Sequence, residues 1–285
     1  RSLPITMAPA RCTLALALCV SLGQALRLGP QIFNRRAALA QGAALAVTPL
    51  AIPLRPAQAD VYGANSELPN DLKGINKFLK TQGFPPLPGA NGLSPLMKYV
   101  GTAAAANLDG LKTKERAFSE TLLVRWNFPS GWLITSPDIT ENGEAGTLGA
   151  NNFIKGDSEV FAAAKMDGGK PLKEQNKEFF VKLLSSQMTS DVYEDIKPKK
   201  IKPVTTEDGT EMVLFDFTYT LLTRAGFTVE RRGVASALQL NSDTAVALVC
   251  ATTALRYKEL EPLLRQSVDT FRAYPVKAVA LPSGI

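Results

Sequence analysis

Alternating apolar and polar residues predict a first group of β-strands after residue 117. Apolar side chains occur at every second position from Leu122 to Phe128, as in a strand with one buried face. Pro129 to Gly131 predicts a turn, and the apolar pattern resumes at Trp132. Two further short strands are predicted at Asn152 to Lys155 and Glu159 to Lys165.

Two apolar stripes at helical spacing predict the helices of this region. The first stripe belongs to a predicted helix from Pro171 to about Thr189, and it contains Phe179, Phe180, Leu183, Leu184 and Met188. The second stripe runs from Leu260 to Phe271 and predicts a closing helix, with Pro262 in its first turn.

Three long strands are predicted between the two helices. Apolar residues alternate from Val213 to Leu221, whereas from Phe227 to Leu240 their parity shifts at Arg231 to Gly233, which predicts a β-bulge there. Asn241 to Asp243 predicts a hairpin turn, and the strand that follows, Thr244 to Thr252, is apolar on both faces. It is therefore predicted to be a central strand, covered on each side.

The segment before these elements has a weaker pattern. Asn70 is predicted to cap a short helix from Asp71 to Thr81, and residues 85 to 95 are a linker rich in proline and glycine. An alanine-rich helix is predicted from Met97 to Lys112. We expect residues 60–116 to form an N-terminal arm that lies across the main domain.

The order of elements defines the predicted fold class and domains. Strands, a helix, hairpin-linked strands and a final helix indicate an α+β fold, in which a central antiparallel sheet carries a helix on each face. The predicted divisions are a leader, the arm, a main domain and a C-terminal tail, at residues 1–59, 60–116, 117–275 and 276–285.

The leader has the composition of a targeting sequence. It contains six arginines and no acidic residue, so residues 60–285 carry 26 basic and 26 acidic side chains and are formally neutral. Arg35 and Arg36 precede eighteen uncharged residues, and Ala57 and Ala59 form an A-x-A cleavage site, which together indicate a twin-arginine signal. The alternative is a transmembrane anchor, which the alanine-rich, proline-containing run and the lack of a following basic cluster disfavour.

A second hydrophobic stretch, Thr13 to Leu26, has the form of a secretory signal. Two export signals in series are typical of proteins that cross two membrane systems. We therefore expect the thylakoid lumen of a secondary plastid as the location, and a mature chain that is peripheral to the membrane.

The residue inventory excludes several kinds of chemistry. The sequence contains no histidine, which excludes Ser-His-Asp and Cys-His nucleophiles and histidine-bound metals. Cys250 lies in an apolar strand and is interpreted as a core residue. Asp138, Glu141 and Glu144 lack the spacing of a calcium loop, so we expect no directly bound cofactor or metal.

One basic run is a candidate docking site. Lys197, Lys199, Lys200 and Lys202 alternate with prolines and isoleucines in the sequence IKPKKIKP. This run is either a solvated connector or an extended surface that docks on an acidic protein face. Nucleic acid is disfavoured as a partner, because the mature chain is neutral and no aromatic residues are interleaved with the lysines.

Several segments together resemble the PsbP family of lumenal photosystem proteins. They are Asn127 to Trp132, the strand FTYTLLT, the strand that ends in ALVCATT and the helix LLRQSVDTFRAY, and the resemblance covers about Phe118 to Tyr274. The resemblance implies an α-β-α sandwich without enzymatic activity, which contacts a photosystem through its N-terminal arm and surface lysines. Its partners would be the photosystem core and other extrinsic lumenal subunits.

The resemblance also implies a role, with alternatives. The role is that of an extrinsic subunit of photosystem II that supports oxygen evolution by retaining calcium and chloride, without binding either ion directly. The arm is long, and an Asp-Gly-Tyr segment usual in the family is missing. A PsbP-domain assembly factor or a photosystem I subunit therefore stays open, as does a small-ligand carrier or hydrolase-like enzyme on the same fold.

Overall fold

The computed structural model describes the regions that form the main sheets and helices. These regions are residues 64–102, 120–140, 143–166, 169–187, 192–223 and 225–276. The leader, with Arg35, Arg36, Ala57 and Ala59, lies outside them, and so do Glu141 and the C-terminal tail after Val276.

The described residues form three helices and twelve strands. The helices are α1 (Leu72–Thr81), α2 (Lys177–Ser185) and α3 (Ala254–Thr270). The strands are β1 (Leu93–Gly101), β2 (Thr121–Pro129), β3 (Leu133–Thr135), β4 (Asp138–Thr140), β5 (Gly143–Ala145), β6 (Gly149–Asn152), β7 (Asp157–Lys165), β8 (Tyr193–Thr205), β9 (Glu211–Leu222), β10 (Thr228–Gln239), β11 (Thr244–Thr253) and β12 (Arg272–Pro275). Short 3-10 turns occur at Ala64–Ser66 and Leu172–Glu174.

The main sheet is antiparallel and has seven strands in the order β3-β6-β7-β11-β10-β9-β8. The α+β class with an antiparallel sheet is therefore confirmed. β11 is the middle strand and is buried from Ala245 to Thr252, as its apolar pattern predicted. Two smaller antiparallel sheets, β1-β2-β12 and β4-β5, complete the strand pairing in the described regions.

Each face of the main sheet carries its own hydrophobic core. On one face, Phe179, Phe180 and Leu183 of α2 pack with Phe215 and Phe217 of β9. On the other face, α3 and the inner side of the β1-β2-β12 sheet share a core. This second core includes Trp126, Phe161, Val234, Cys250, Leu264 and Phe271. Because side chains alternate along a strand, consecutive residues of β9 and β10 serve opposite cores.

The expected arm contributes elements to the fold. β1 pairs with β2 along its full length, and Ile75 and Leu79 of α1 pack in a third cluster with Met97 of β1. The helix predicted from Met97 to Lys112 is therefore wrong at residues 97–101. The alanines that follow Thr102 suggested a helix, whereas pairing with β2 decided the conformation of residues 97–101.

Other boundaries differ from the predictions. The α1 cap is Asp71 rather than Asn70, because the Asp71 carboxylate accepts the Gly74 N–H at 2.9 Å. α3 begins at Ala254, so Pro262 lies inside the helix and not in its first turn. Residues 153–156 form a turn, not the predicted strand.

The predicted bulge in β10 is also wrong. β10 pairs without interruption with both β9 and β11 through Arg231 to Gly233. The parity shift has another cause, since β10 is buried on both faces from Gly233 to Leu238. Apolar residues there occupy consecutive positions, as expected for a doubly covered strand.

Candidate functional site

The four candidate lysines lie on an edge strand of the main sheet. Lys197, Lys199, Lys200 and Lys202 belong to β8, whose only sheet neighbour in the described regions is β9. All four are exposed. The lysine run is therefore part of the folded sheet and not a connector.

Two bulges shape β8. The pairing with β9 shifts between Glu194 and Lys197 and again between Lys199 and Lys202. Asp195 and Lys200 have φ values of 56° and 51° at these shifts, in the left-handed region that few residues other than glycine adopt. Bulges, proline and lysine are devices that prevent an edge strand from pairing with another chain.

The bulges also sort the side chains of β8 between the two faces. Ile196 and Ile201 both pack against the core on the α2 side, although they are five positions apart, an odd number that would place them on opposite faces of a regular strand. Lys197, Lys199 and Lys202 pair with Thr218, Asp216 and Leu214 of β9, which occupy the face that carries α3. The lysines thus stand on one face at one edge.

An ionic network fixes this edge to α3. The Asp216 carboxylate accepts hydrogen bonds from Lys200 Nζ and Arg265 Nη2, both at 2.9 Å. Arg265 also binds Glu261 at 2.7 Å. Burial raises the pKa of Asp216, but the hydrogen bonds from Lys200 and Arg265 outweigh this effect and hold its pKa below the ordinary value. Lys200 is thereby partly committed to an internal contact.

The other lysines of β8 are less committed to contacts within the protein. Lys197 pairs with Asp195 at 3.3 Å, and both side chains are largely exposed, so this pair contributes little. Lys199 and Lys202 make no ion pair with any described residue. They are the lysines that are best placed to contact a partner.

In the folded chain, two further cations lie beside the lysines of β8. A groove of about 270 Å³ runs between this edge and α3, and Arg232 of β10 and Lys258 of α3 line it with Lys199 and Lys200. The Arg232 guanidinium lies 5.1 Å from the centroid of the Tyr257 ring, within the range of a cation–π contact. Asp216 and Glu261 are the acids of this groove. We call Lys197, Lys199, Lys200, Lys202, Arg232 and Lys258 the basic edge.

Sequence reasoning missed Arg232 and Lys258 because they lie 30 or more residues beyond the lysine run. The change in apolar parity at Arg231 to Gly233 marked the position of Arg232, but it was interpreted as a β-bulge. No local pattern marks Lys258, which reaches the groove only because α3 crosses this part of the sheet.

A second groove, of about 730 Å³, lies between residues 85–88 and the β8–β9 turn. Its floor contains Arg125, which is buried and donates to the carbonyl oxygens of Thr270 and Pro85 at 3.1 and 3.3 Å. Its wall contains Arg272, which binds both carboxylate oxygens of Asp208 at 2.9 and 3.0 Å. These groups bond to the protein itself, which favours a structural role for them.

The candidate chemical groups of the core are enclosed. Cys250 and Glu159 are adjacent on β11 and β7, and neither is accessible. Burial raises the pKa of the Cys250 thiol well above its ordinary value, so it is a poor nucleophile. Its interpretation as a core residue is confirmed by its complete burial.

The described residues also bear on metal and membrane binding. Asp138 and Glu144 lie on the β4–β5 hairpin, in strands that pair with each other. No group of three or more carboxylates or cysteines among the described residues could hold a metal ion. Within the same residues, no helix combines the length and apolar character needed to cross a membrane.

Comparison with known proteins shows a similarity among solved structures only. No family model matches the chain, and no curated protein matches it. Among solved structures, the chain is similar to cyanobacterial PsbP (CyanoP) from Synechocystis sp. PCC 6803, with 15% sequence identity and a TM-score of 0.36. The match covers 65% of this chain and 95% of that one.

Proposed function

We propose that this chain is a non-catalytic protein of the thylakoid lumen that docks on a photosystem through its basic edge. The observation that carries the proposal is the arrangement of β8, where four lysines are exposed on one side of an edge strand. The surface is suited to an acidic protein face, because its exposed cations lie together along one edge of the sheet.

The sequence features support the same role. The segments that resemble the PsbP family lie in β2, β9, β11 and α3, which build the core around which the basic edge is placed. The leader composition supports delivery to the thylakoid lumen. Among the roles that the resemblance implies, we favour an extrinsic subunit of photosystem II that supports oxygen evolution by calcium and chloride retention. An assembly factor or a photosystem I subunit is the alternative.

A salt wash tests the docking mode. At about 1 M salt the screening length falls to about 3 Å, which weakens contacts between exposed charges. We expect the protein to leave the photosystem complexes of isolated thylakoids under this wash and to rebind them when salt is removed. Co-migration with photosystem II or photosystem I on a native gel then identifies the complex.

Charge reversal tests the surface itself. We expect Lys199→Glu combined with Lys202→Glu to abolish rebinding to the photosystem of washed thylakoids, because the reversed charges repel an acidic partner. The fold should be preserved, since neither lysine makes an ion pair with a described residue. The matched control is Lys77→Glu with Lys80→Glu, which makes the same change in net charge on exposed positions of α1. Equal loss of rebinding in both double variants would contradict docking through the basic edge.

A further inference from the structure

Five exposed apolar side chains lie at the β3 edge of the main sheet and at the adjoining start of α3. Ile154 and Leu255 are 98% and 96% exposed, and Phe153 and Leu133 are 66% and 64% exposed. Ile134, on the same short strand as Leu133, is 45% exposed. Single exposed apolar residues are ordinary, but a cluster of large ones marks an interaction surface.

The strand register and two hydrogen bonds place the β6–β7 turn next to β3 and to the start of α3, with Leu133 and Ile134 on opposite faces of β3. Leu133 of β3 pairs with Asn151 of β6, directly before the turn that carries Phe153 and Ile154. Asp157, at the other end of that turn, accepts the Thr252 hydroxyl at 2.6 Å and pairs with Arg256 at 2.5 Å. Arg256 follows Leu255 in the first turn of α3. We call Leu133, Ile134, Phe153, Ile154 and Leu255 the apolar corner.

We propose that the apolar corner inserts shallowly into the surface of a lipid bilayer. Exposure of 98% and 96% means that no neighbouring side chain walls Ile154 or Leu255. A protein partner would have to supply a complete pocket for each residue, on two separate turns. A fluid acyl layer adapts to such protruding side chains, and their burial in it is favourable.

The residues around the corner fit an interfacial position. Trp132 is partly exposed directly before Leu133, and Lys155 is exposed directly after Ile154. Tryptophan and lysine are typical of the boundary between acyl chains and headgroups. The nearby Asp157 carboxylate is buried and bonded to Arg256, so it does not oppose an anionic headgroup.

This inference does not rest on the proposed docking function. The basic edge includes β8, and the apolar corner includes β3, which are the opposite edges of a seven-stranded sheet. At a strand spacing of about 4.8 Å, the two edges are roughly 29 Å apart. The protein can therefore contact lipid at one edge and a protein partner at the other.

Acyl-chain quenching tests the insertion at a single position. We would prepare Ile154→Trp and Val204→Trp in the full chain, since Val204 is an exposed apolar residue on β8. The vesicles would contain phosphatidylcholine and phosphatidylglycerol brominated on the acyl chains. We expect strong quenching at position 154 and none beyond the parent level at position 204. Both variants carry the same leader, so membrane affinity of the leader affects them equally.

A binding measurement completes the test. Ile154→Asp combined with Leu255→Asp should weaken vesicle co-sedimentation about tenfold relative to Val204→Asp, because two apolar contacts are replaced by charges that resist burial. Circular dichroism would verify that each variant is folded. Equal quenching at positions 154 and 204 would overturn the proposal, and would direct attention to a protein partner for the corner.

Discussion

Trp126 donates its indole N–H to Glu159 Oε2 at 3.0 Å inside a core where both residues have no exposed surface. The other carboxyl oxygen, Oε1, has no hydrogen-bond partner among the described residues. Burial raises the pKa of Glu159 to about 8, so the carboxyl is neutral at pH 7. The core therefore encloses a protonated, neutral Glu159 carboxyl instead of a buried charge.

This buried acid predicts an unusual pH dependence of stability. Between pH 4.5 and about 8 the unfolded carboxyl is ionised while the folded one keeps its proton. The folded state then binds more protons, so the free energy of unfolding falls as pH rises, by about 1.4 kcal/mol per pH unit from this group. We expect Glu159→Gln to remove this contribution, as measured by urea unfolding at pH 5 and pH 8.

The control for this experiment is Glu211→Gln, at an exposed position at the start of β9. Its difference from the parent should be the same at both pH values. The Glu159→Gln variant should gain stability relative to the parent between pH 5 and pH 8. Parallel pH profiles for the parent and Glu159→Gln would show that Glu159 does not hold the proton.

The pairing of Arg272 with Asp208 predicts a large effect at the β8–β9 turn. Burial raises the pKa of Asp208, but hydrogen bonds from Arg272 and Thr206 outweigh it and hold the pKa well below its ordinary value. Asp208→Asn removes the carboxylate that binds the buried Arg272 through both oxygens, and we expect a loss of about 1.5 to 3 kcal/mol in the free energy of unfolding. Chemical denaturation at pH 7 measures it.

A matched substitution separates this pair from an ordinary surface pair. Asp195→Asn breaks the exposed contact with Lys197, and asparagine tolerates the left-handed backbone at this position. We expect a change of less than about 0.5 kcal/mol. The Asp208 contribution should also disappear as pH falls below the pKa of the unfolded carboxyl, since protonation then favours the unfolded state. A similar cost for both variants would refute the distinction.

Gly233 allows Phe217 to lie across β10. A Cβ atom at this position would be 2.2 Å from the Cys250 carbonyl oxygen and 2.4 Å from Phe217 Cζ. Since backbone cannot withdraw from the middle of a sheet, we expect Gly233→Ala to cost about 3 kcal/mol or more. Gly169→Ala is the comparison, because nothing lies within 4 Å of its added Cβ and only its positive φ opposes the change. Thermal unfolding of both variants checks the difference.

Cys250 should react only through unfolding. In a chain with Cys12→Ser and Cys19→Ser, Cys250 is the remaining thiol. Its burial and raised pKa predict that a water-soluble thiol reagent at pH 8 modifies it no faster than the protein unfolds. Rapid modification of the native protein, before any loss of circular dichroism signal, would contradict its position in the core.

Elements with strong periodicity were predictable, and elements defined by pairing were not. The alternation in β2 and β9 and the apolar stripe of α2 each appear locally in the sequence, because one face of each element is buried. The 97–101 segment became strand β1 because β2 offers it a hydrogen-bonding partner, which no local pattern reveals. The same limit applies to the basic edge, where the four lysines were found but Arg232 and Lys258 were not.

The sequence by itself determined the fold class, the buried residues of its main elements and the absence of histidine chemistry, because periodicity and composition are local properties. Tertiary structure decided that the lysine run is an edge strand with two bulges and that Glu159 is enclosed beside Trp126. It also decided that the turn with Ile154 is joined to the helix start with Leu255, about 100 residues further along, through the pair of Asp157 and Arg256. These outcomes depend on which strands pair and on what covers them, and such long-range contacts leave no periodic trace in the chain.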